Sequence, residues 1–599
     1  MSTQTRYQLT WELDSLSPHP ESAQFRQLLQ EYEADLSQLA EDSERLPPPD
    51  RRDDVPAVWG AFIGRAADLF ARTEDLHAFV GCHAAAEAAN KEFQRLEGAL
   101  AALTPLREQL LTNLELAFLD VSEQDLDPFL AADERLGAVG FFLRECRQNA
   151  AFRLPKPQEL LAARLNVDGL HAWGRLYDRL SGELRIDVME KGRLVGKSPG
   201  QVSLDSPERS VRENNFFAAQ KAWGTIADTC ADAMNHIAGS RLTKYARLGV
   251  RDHLDWPLRM NRMRRETLDA MWGAIVERKP VLKRYFDTKA ELLGLQRLSW
   301  YDVLAPLPSK RPAARLEYDQ ACDIVVGTFT EFSPELGEFA ARAMSQRWIE
   351  AEDRPGKRQG GFCTGFPTHQ QSRIFMTFNH SDDSMSTLAH ELGHAYHSHV
   401  LRDQPFLLRD YPMNLAETAS TLAEAILGER RLAEADDDQK LSMLDRMLSD
   451  AVAFLMNIHA RFLFEDRFHQ ERTRGEVSAA RLSALMLDAQ REAYCDALDA
   501  DGWYPEFWVS KLHFYISGWP FYNFPYTFGY LLSLGIYSLR DTLDGFPDKV
   551  RQFLIATGSQ QAEDAVAGSF GADLSQPEFW QRSLQIVEDR VDQFVKLAK

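Results

Sequence analysis

The sequence of 599 residues is poor in cysteine and has no long apolar run, and both absences exclude classes of protein. Its six cysteines are scattered without a CxxC pair, which argues against a disulfide scaffold and against a zinc site built from thiolates. The most apolar late stretch, FGYLLSLGIYSL, is shorter than the ~20 residues of a membrane-spanning helix. The opening MSTQTRYQLTWELDSL has no basic segment followed by an apolar one, so we expect no signal peptide and predict a cytoplasmic protein.

Basic charge is scarce relative to acidic charge. The chain has 68 lysines and arginines against 89 aspartates and glutamates, which gives a net charge of −21. Nucleic-acid binding depends on basic side chains that contact phosphate, so this balance argues against a nucleic-acid partner. The net charge does not determine the sign of the charge inside a cleft. The 44% hydrophobic content is sufficient for a large core, and we expect a globular protein without a nucleic-acid or membrane partner.

Most of the chain has the apolar spacing that is typical of helices, as in SAQFRQLLQEYEADLSQLA. Two short regions differ. ELRIDVMEKGRLVGKSPGQVSL, near 183–204, indicates a β-hairpin or a crossover between two lobes, and RIFMTFN at 373–379 indicates a strand. We predict a mainly α protein with an amino-terminal helical lobe at 1–182, a hairpin crossover at 183–211 and a larger domain at 212–599.

Histidine is scarce as well, yet four of the 15 histidines fall in TLAHELGHAYHSHV at 387–400. His390, Glu391 and His394 form the HExxH pattern on a predicted helix that starts near the acidic and hydroxyl residues of HSDDSMS. Residues four apart lie on one helix face ~6 Å apart along the axis, so both imidazoles can bind one cation. Glu391 would lie beside such a metal and accept a proton from water. The alternative is a solvated helix face with two histidines.

A third protein ligand is expected downstream, in YPMNLAETASTLAEAIL. Glu417 and Glu424 fall seven residues apart on one face of a helix rich in alanine and leucine, where carboxylates need a cation or strong donors. We predict that Glu417, 23 residues beyond His394, is the third ligand. Two roles remain open for Glu424, which either orients a ligand histidine or pairs with an arginine such as Arg430 or Arg431.

The other two histidines of the stretch are less suited to the metal. His397 lies ~10.5 Å along the helix axis from His390, too far for both to reach one zinc with ~2.1 Å bonds. We expect His397 to support the ligands from outside the coordination sphere or to pack in the core. His399 points to the opposite helix face, and we expect it to lie at the surface or to have its polar atoms satisfied by hydrogen bonds.

HELGH, followed after 23 residues by the glutamate of AETAST, resembles the oligoendopeptidase F branch of the thimet-oligopeptidase superfamily of zinc peptidases. GGFCTGF, IFMTFN and STLAHELGHAYHS resemble the family's substrate loop, edge strand and active-site helix. WELDSL at 11–16 is similar to the family's opening. HFYISGWPFYNFPYTFGY at 513–530 is similar to the family's segment rich in histidine and tyrosine. The matches span nearly the whole chain.

The resemblance implies one zinc ion per chain on His390, His394 and Glu417, with Glu391 as the general base. It also implies side chains that contact the substrate backbone or the developing oxyanion, namely His513, Tyr515, Tyr522 and Tyr526. Phe524 stands where family members often have tyrosine, so the identity of the oxyanion donor stays open. The loop and the strand imply substrate contacts at Gly360, Gly361, Phe362, Gly365, Ile374 and Met376.

The implied fold is a mainly helical, two-lobed body around a deep substrate channel, with a small β region next to the HExxH helix and the catalytic domain at 212–599. The implied function is a zinc-dependent oligoendopeptidase that cleaves short unstructured peptides with a zinc-activated water. The strand at 373–379 would bind peptide backbone as an edge strand. A zinc aminopeptidase or carboxypeptidase-type exopeptidase with the same site is the alternative, and a non-catalytic helical scaffold is another. Cleavage preference and oligomeric state are not predicted.

Overall fold

The computed structural model of the chain describes residues 6–190, 192–308 and 315–599. Helix makes up 67% of the structure and the sheets are small, which confirms the predicted mainly α fold. The described residues form 26 α-helices, which we number in chain order.

The first thirteen helices are α1 (Ala23–Glu44), α2 (Val55–Ala86), α3 (Lys91–Ala117), α4 (Glu123–Ala131), α5 (Glu134–Ala138), α6 (Gly140–Ala150), α7 (Lys156–Asp168), α8 (Leu170–Glu183), α9 (Arg209–Gly224), α10 (Ala227–Leu248), α11 (Asp255–Met260), α12 (Arg265–Arg278) and α13 (Leu282–Leu292). The others are α14 (Tyr318–Phe332), α15 (Pro334–Ser345), α16 (Asp382–Leu401), α17 (Met413–Ala416), α18 (Thr418–Glu434), α19 (Asp437–Val452), α20 (Ile458–Arg472), α21 (Ala479–Ala493), α22 (Phe507–Ser510), α23 (Phe524–Tyr537), α24 (Phe546–Ala556), α25 (Ala562–Phe570) and α26 (Pro577–Leu597).

Five strands in the described residues form two small sheets. Strands β1 (Ile186–Glu190) and β2 (Arg193–Lys197) pair antiparallel and form the hairpin that the sequence indicated. The second sheet contains β3 (Ile349–Glu350), β4 (Phe362–Phe366) and β5 (Gln371–Phe375) in the order β3-β5-β4. β5 therefore lies in the centre, and the prediction of an edge strand at 373–379 is wrong. The chain supplies a partner on each side of β5, parallel β3 and antiparallel β4, and β4 is the edge strand next to it.

Contacts divide the chain into two compact units, each assembled from three chain segments. Unit 1 comprises Met1–Arg153, Ala313–Arg431 and Arg540–Gly571, and unit 2 comprises Leu154–Pro312, Leu432–Leu539 and Ala572–Lys599. Each unit combines segments that are distant in sequence, whereas each predicted domain is one continuous segment. The boundaries at 182 and 211 and the substrate channel stay predictions.

The core of unit 1 joins its amino-terminal helices to the small sheet. Buried aromatic side chains such as Phe25, Trp59 and Phe79 form one cluster with Phe366 of β4 and Phe375 of β5. α16 contacts both of these strands. The burial of apolar side chains between helices and sheet thus fixes β4 and β5 beside the helix that carries HExxH.

The core of unit 2 is rich in aromatic side chains, which include Tyr177, Trp508 and Tyr515. A π-helical turn at Ala453–Asn457 joins α19 to α20. The resulting helical run, Asp437–Arg472, is the one helix in the described part of the chain that is long and apolar enough to cross a membrane, and half of its most apolar window is buried inside the fold. A core helix of a globular unit has the same character.

Candidate metal centre

Helix α16 begins where the sequence predicted a helix start. Ser381 is the N-cap, and its Oγ accepts a hydrogen bond from the backbone N–H of Ser384 at 3.1 Å. Asp382 and Asp383 occupy the first turn, where negative charge interacts favourably with the helix dipole. The helix then continues without a break to Leu401, so the HExxH residues lie inside a rigid element.

Three candidate ligand atoms converge at one point. His390 Nε2 lies 3.2 Å from His394 Nε2, and Glu417 Oε2 lies 3.4 Å and 3.3 Å from these two nitrogens. Ligands that bind zinc at ~2.1 Å in tetrahedral geometry are ~3.4 Å apart. The triangle therefore has the size that one zinc ion requires. Two imidazoles and a carboxylate are also a ligand set of catalytic zinc sites, which keep one position for water.

Gly393 lets α16 approach the segment that carries Glu417. An added Cβ at Gly393 would lie 2.6 Å from both the carbonyl oxygen of Ala419 and the Cα of Ser420, which is closer than such atoms approach. Glu417 lies at the junction of α17 and α18, although the sequence suggested that it lies within one helix. Ser420 Oγ donates to Glu417 Oε2 at 2.9 Å and helps to fix the carboxylate.

Glu424 orients the first histidine of the motif. Its Oε1 accepts a hydrogen bond from His390 Nδ1 at 2.6 Å, and Ser386 Oγ donates to its Oε2 at 3.2 Å. A proton on Nδ1 leaves the lone pair of Nε2 free for a metal. This geometry supports the first of the two roles left open for Glu424. The other role was an ion pair between Glu424 and Arg430 or Arg431. Arg430 instead lies 2.8 Å from Glu331, and Arg431 lies 3.1 Å from Asp382.

Glu391 is buried beside the ligands, with 6% of its surface exposed. Burial raises the pKa of its carboxyl group; the nearby histidines lower it, and the charges of Glu417 and Glu424 add to the increase. An added Cβ at Gly361 would lie 3.2 Å from Glu391 Oε1. The structure therefore brings the predicted base and the predicted substrate loop together.

The ligand carboxylate is ionised at neutral pH. Burial raises the pKa of Glu417, but the hydrogen bond and charge of His394 and the charge of His390 outweigh burial and lower the pKa to about 2. Burial lowers the pKa of His390, but its hydrogen bond to Glu424 and the neighbouring carboxylates outweigh burial, and the pKa is raised. The site thus combines negative charge with nitrogen donors, as a divalent cation requires.

His397 packs in the core and does not support the ligands, so that part of the prediction is wrong. Its side chain is fully buried, and its Nε2 lies 2.9 Å from Thr557 Oγ1 and 3.2 Å from the carbonyl oxygen of Leu554. Its ring stacks on Tyr411 at 3.9 Å. The reason is that this part of α16 packs against α24. His399 is half-buried beside two arginines, with its Nε2 2.9 Å from Arg402 Nη1.

Two of the six residues predicted to contact substrate are buried. Ile374 is 0% and Met376 1% exposed, and their backbone N–H groups donate to the carbonyl oxygens of Trp348 and Glu350 at 2.9 Å each. The assignment of Ile374 and Met376 to substrate contact is therefore wrong, because β5 is covered on both sides. Among the others, Gly360 is exposed with a φ of +97°, and Phe362 is half-buried.

Strand β4 has one edge without a partner strand in the described residues. Ile374 directs its N–H group to β3, and alternate residues of a strand point to opposite sides, so the neighbours of Ile374 bond to β4. The residue of β4 opposite Ile374 is Cys363. Cys363 and Gly365 therefore present backbone N–H and C=O groups at the outer edge. Gly365 also lines a cavity of about 300 Å³, together with Glu74 and His77.

The segment rich in histidine and tyrosine lies in unit 2, whereas the three candidate ligands lie in unit 1. The rings of His513 and Tyr522 stack at 5.1 Å, and those of Tyr522 and Tyr526 are 6.0 Å apart. All three side chains are partly exposed. Phe524 is buried and packs edge-on against Phe462 at 6.2 Å. The roles of His513, Tyr522 and Tyr526 at the metal stay predictions.

Tyr515 is a core residue, and its assignment to substrate contact is wrong. The side chain is 1% exposed, and its ring stacks on Tyr177 at 3.7 Å. Its hydroxyl donates to the carbonyl oxygen of Trp508 at 3.2 Å. A 3₁₀-helix at Leu512–Tyr515 directs this ring into the core of unit 2, which sequence spacing does not reveal.

Sequence reasoning missed the contributions of Ser386, Gly393 and Ser420. Ser386 precedes His390 by four residues, so its position on the same helix face was a usable signal. The signal for Gly393 was the small residue inside the motif, although only the facing helix shows why it must be small. Arg461, which lies beside His513, was also missed because it is 52 positions away in sequence. Lys511, two positions before His513, was overlooked although it is close in sequence.

Comparisons with known proteins cover most of the chain and not only the residues around the candidate metal centre. The family described as Peptidase family M3 matches residues 202–586, and the one described as Oligopeptidase F matches residues 118–186. Oligopeptidase PepF of Bacillus subtilis is 27% identical over 403 residues, which cover 66% of this chain and 58% of that protein. The oligoendopeptidase F homolog of Lactococcus lactis is 24% identical over 548 residues, 88% of each chain. The crystal structure of oligoendopeptidase-F from Enterococcus faecium has the same fold, with a TM-score of 0.71 and 19% identity over 96% of this chain and 99% of that one.

Proposed function

The chain belongs to peptidase family M3 as a metallopeptidase of the oligoendopeptidase F type, and on this premise we propose that it hydrolyses internal bonds of short, unstructured peptides with one zinc ion. The observation that carries the proposal is the triangle of His390 Nε2, His394 Nε2 and Glu417 Oε2 with Glu391 beside it. Histidine nitrogens and a carboxylate oxygen at these distances fit zinc.

His390, His394 and Glu417 would hold the ion. When bound, zinc supplies the Lewis acidity that polarises a carbonyl group and makes water a nucleophile near neutral pH. Glu424 keeps His390 in the tautomer that leaves Nε2 free, because it accepts the proton of Nδ1. Ser420 Oγ donates a hydrogen bond to Glu417 Oε2 and so helps to orient this carboxylate.

Glu391 accepts the proton of the attacking water and returns it to the departing amine. Burial supports this role, because it destabilises the carboxylate and so makes it a stronger base than an exposed glutamate. Gly361 leaves room for the carboxylate to move between these two proton transfers, since any larger residue would press on Oε1.

The outer edge of β4 binds the peptide backbone. Cys363 and Gly365 offer N–H and C=O groups that can pair with an extended peptide by strand addition. Such pairing is largely independent of side chains, which suits an enzyme that accepts many short peptides. A folded protein cannot present an unpaired extended segment, so unstructured peptides are the preferred substrates.

His513, Tyr522 and Tyr526 donate hydrogen bonds to the substrate and the developing oxyanion, as the matched family segment implies. Arg461 Nη1 lies 3.3 Å from His513 Nδ1, and because arginine only donates, Nδ1 must accept. Burial and the charges of Arg461 and Lys511 lower the pKa of His513 to about 4. A neutral ring with its proton on Nε2 is therefore available as a donor.

We expect short peptides as partners, no nucleic-acid or membrane partner, and a cytoplasmic location; the oligomeric state is not predicted. The net charge of −21 disfavours nucleic acid, and most of the cysteines are buried as separate thiols.

The decisive experiment maps cleavages in a mixture of peptides of graded length by mass spectrometry, with and without a chelator. We expect internal cleavages that stop when the metal is removed. Peptides with blocked amino and carboxyl termini serve as the control, because strict dependence on a free amino or carboxyl terminus would favour an exopeptidase. Protein purified without chelator that holds no zinc would leave the helical scaffold as the remaining hypothesis.

A further inference from the structure

Two cationic side chains of unit 2, Arg461 and Lys511, lie against the ring of Phe507, and His513 lies beside Arg461, so that the three basic residues form one cluster. The guanidinium carbon of Arg461 lies 5.3 Å and Lys511 Nζ 4.7 Å from the centre of the Phe507 ring. Arg461 Nη1 lies 3.3 Å from His513 Nδ1. Positive charge is thus concentrated at one point of a strongly acidic chain.

No carboxylate of the described residues compensates this charge. The groups that act electrostatically on the cluster are its own members and two tyrosines, Tyr494 and Tyr526. Burial and the charge of Arg461 together lower the pKa of Lys511 to about 8. Burial also lowers the pKa of Arg461 to about 10. Arginine nevertheless keeps its charge at neutral pH, and an unpaired charge inside a protein is costly.

Two other buried cations of unit 2 have acidic partners, whereas buried Lys279 has its Nζ 2.8 Å from His459 Nδ1. Lys289 Nζ lies 2.9 Å from Asp445 Oδ1, and Arg212 Nη2 lies 2.8 Å from Asp302 Oδ1. The fold therefore neutralises buried positive charge at these positions with its own carboxylates. The cluster at Arg461 departs from that pattern.

The cluster also contains buried donors without acceptors. Asn523 Oδ1 accepts a hydrogen bond from Arg461 Nη1 at 2.9 Å, which fixes the orientation of the amide. Arg461 Nε and Asn523 Nδ2 are buried and have no hydrogen-bond partner among the described residues. Buried donors are nearly always paired, so two adjacent ones next to uncompensated cations indicate a missing acceptor.

We infer that Arg461 and Lys511, with Asn523, form a binding site for a carboxylate group of the peptide substrate. This inference rests on the proposed function, because it takes the neighbouring His513 and Tyr522 to face the substrate. A carboxylate has two coplanar acceptor oxygens that match the guanidinium fork, and its charge cancels that of the arginine. The carboxylate comes either from the carboxy terminus of the peptide or from an aspartate or glutamate side chain.

The test compares versions of one cleaved peptide that differ only in carboxylate groups. One version ends in a free acid and another in an amide, and in further versions each internal aspartate or glutamate is replaced by asparagine or glutamine. We expect wild-type kcat/KM to fall about tenfold or more when the recognised carboxylate is removed, as for a lost charge-assisted hydrogen bond. The version that shows the fall identifies the terminus or the side chain as the source.

Variants connect the preference to the site. Arg461→Gln and Lys511→Met should each abolish most of the preference for the acidic peptide. Arg481→Gln removes the same charge from a surface pair of unit 2, with Glu471 at 2.6 Å, and should keep the wild-type preference. Circular dichroism verifies folding, and if Arg461→Gln does not fold, the partly exposed Lys511 decides.

Failure of the inference differs from failure of the proposed function. If the wild type cleaves all versions with equal kcat/KM, the carboxylate site is wrong and the peptidase stands. If no version is cleaved, the proposed function fails. Calorimetric binding of acid and amide peptides to Glu391→Gln then tests the carboxylate site without turnover, and equal affinities would overturn it.

Discussion

Gly393 allows the strongest test of how the fold builds the metal site, through the substitution Gly393→Ala. The added Cβ would lie 2.6 Å from the Ala419 carbonyl oxygen and the Ser420 Cα, whereas ordinary contact begins at 3.4 Å. The contacting atoms are backbone, so no side chain can rotate away. α16 and α18 must therefore separate by about 0.8 Å, the difference between these two distances, at a cost of about 1–3 kcal/mol for overpacking.

This separation also moves a ligand. Glu417 lies two residues before Ala419 on the displaced segment, and metal–ligand distances tolerate errors of only about 0.2 Å. We expect zinc affinity to fall about 10- to 100-fold or more, as when groups that orient ligands are removed. Competition with a chromogenic chelator measures the affinity, and thermal unfolding of the metal-free protein measures the packing cost separately.

A matched control is Gly64→Ala, another helical glycine of unit 1. Its added Cβ meets nothing within 4 Å, so the variant should bind zinc normally and gain up to about 1 kcal/mol of helix stability. If Gly393→Ala held zinc within twofold of the wild type, the claim that this glycine sets the distance between the histidine pair and Glu417 would be refuted.

Other variants test the remaining assignments. Glu391→Gln should retain zinc but lose nearly all hydrolysis, and wild-type turnover would overturn its role as base. Glu424→Ala should weaken zinc binding about 10- to 100-fold, measured by chelator competition, because His390 loses its orienting acceptor. Burial raises the pKa of Glu465 to about 7, above its unfolded value, so the folded protein holds a proton that the unfolded chain releases between about pH 4.5 and 7. Stability should therefore be greatest below this window and fall as pH rises through it, by about 3 kcal/mol; Glu465→Gln should remove this fall in melting curves. Tyr515→Phe should change stability by about 1 kcal/mol and leave kcat unchanged.

The local parts of the site could be predicted from the sequence because helical spacing fixes them. The spacing of four positions from His390 to His394 determines that both rings share a face, and the capping residues of HSDDSMS determine where α16 begins. Glu417 could be found as a carboxylate on an apolar segment, which requires a partner of opposite charge. Its position at a break between two helices could not be found, because nothing local distinguishes that break from a continuous helix.

Predictions failed where neighbours distant in sequence decide the outcome. The pattern of RIFMTFN indicates a strand, but whether that strand lies at an edge depends on β3, a two-residue segment more than twenty positions earlier. Tyr515 and Tyr522 look equivalent in one aromatic segment, yet a 3₁₀ turn buries one ring and leaves the other partly exposed. His397 has the same chemistry as His394 and packs against α24 from the far end of the chain.

The sequence by itself therefore determined the family, the helical class, and the two histidines, the candidate base and the candidate third ligand that the fold brings together, since these depend on residue type and short spacing. Only the tertiary structure decided the separation of the ligand atoms, the acceptor that fixes the tautomer of His390, and the unpaired charge of Arg461. The physical reason is that distances between segments result from close packing, as at Gly393, and packing is a property of surfaces that meet only in the folded chain.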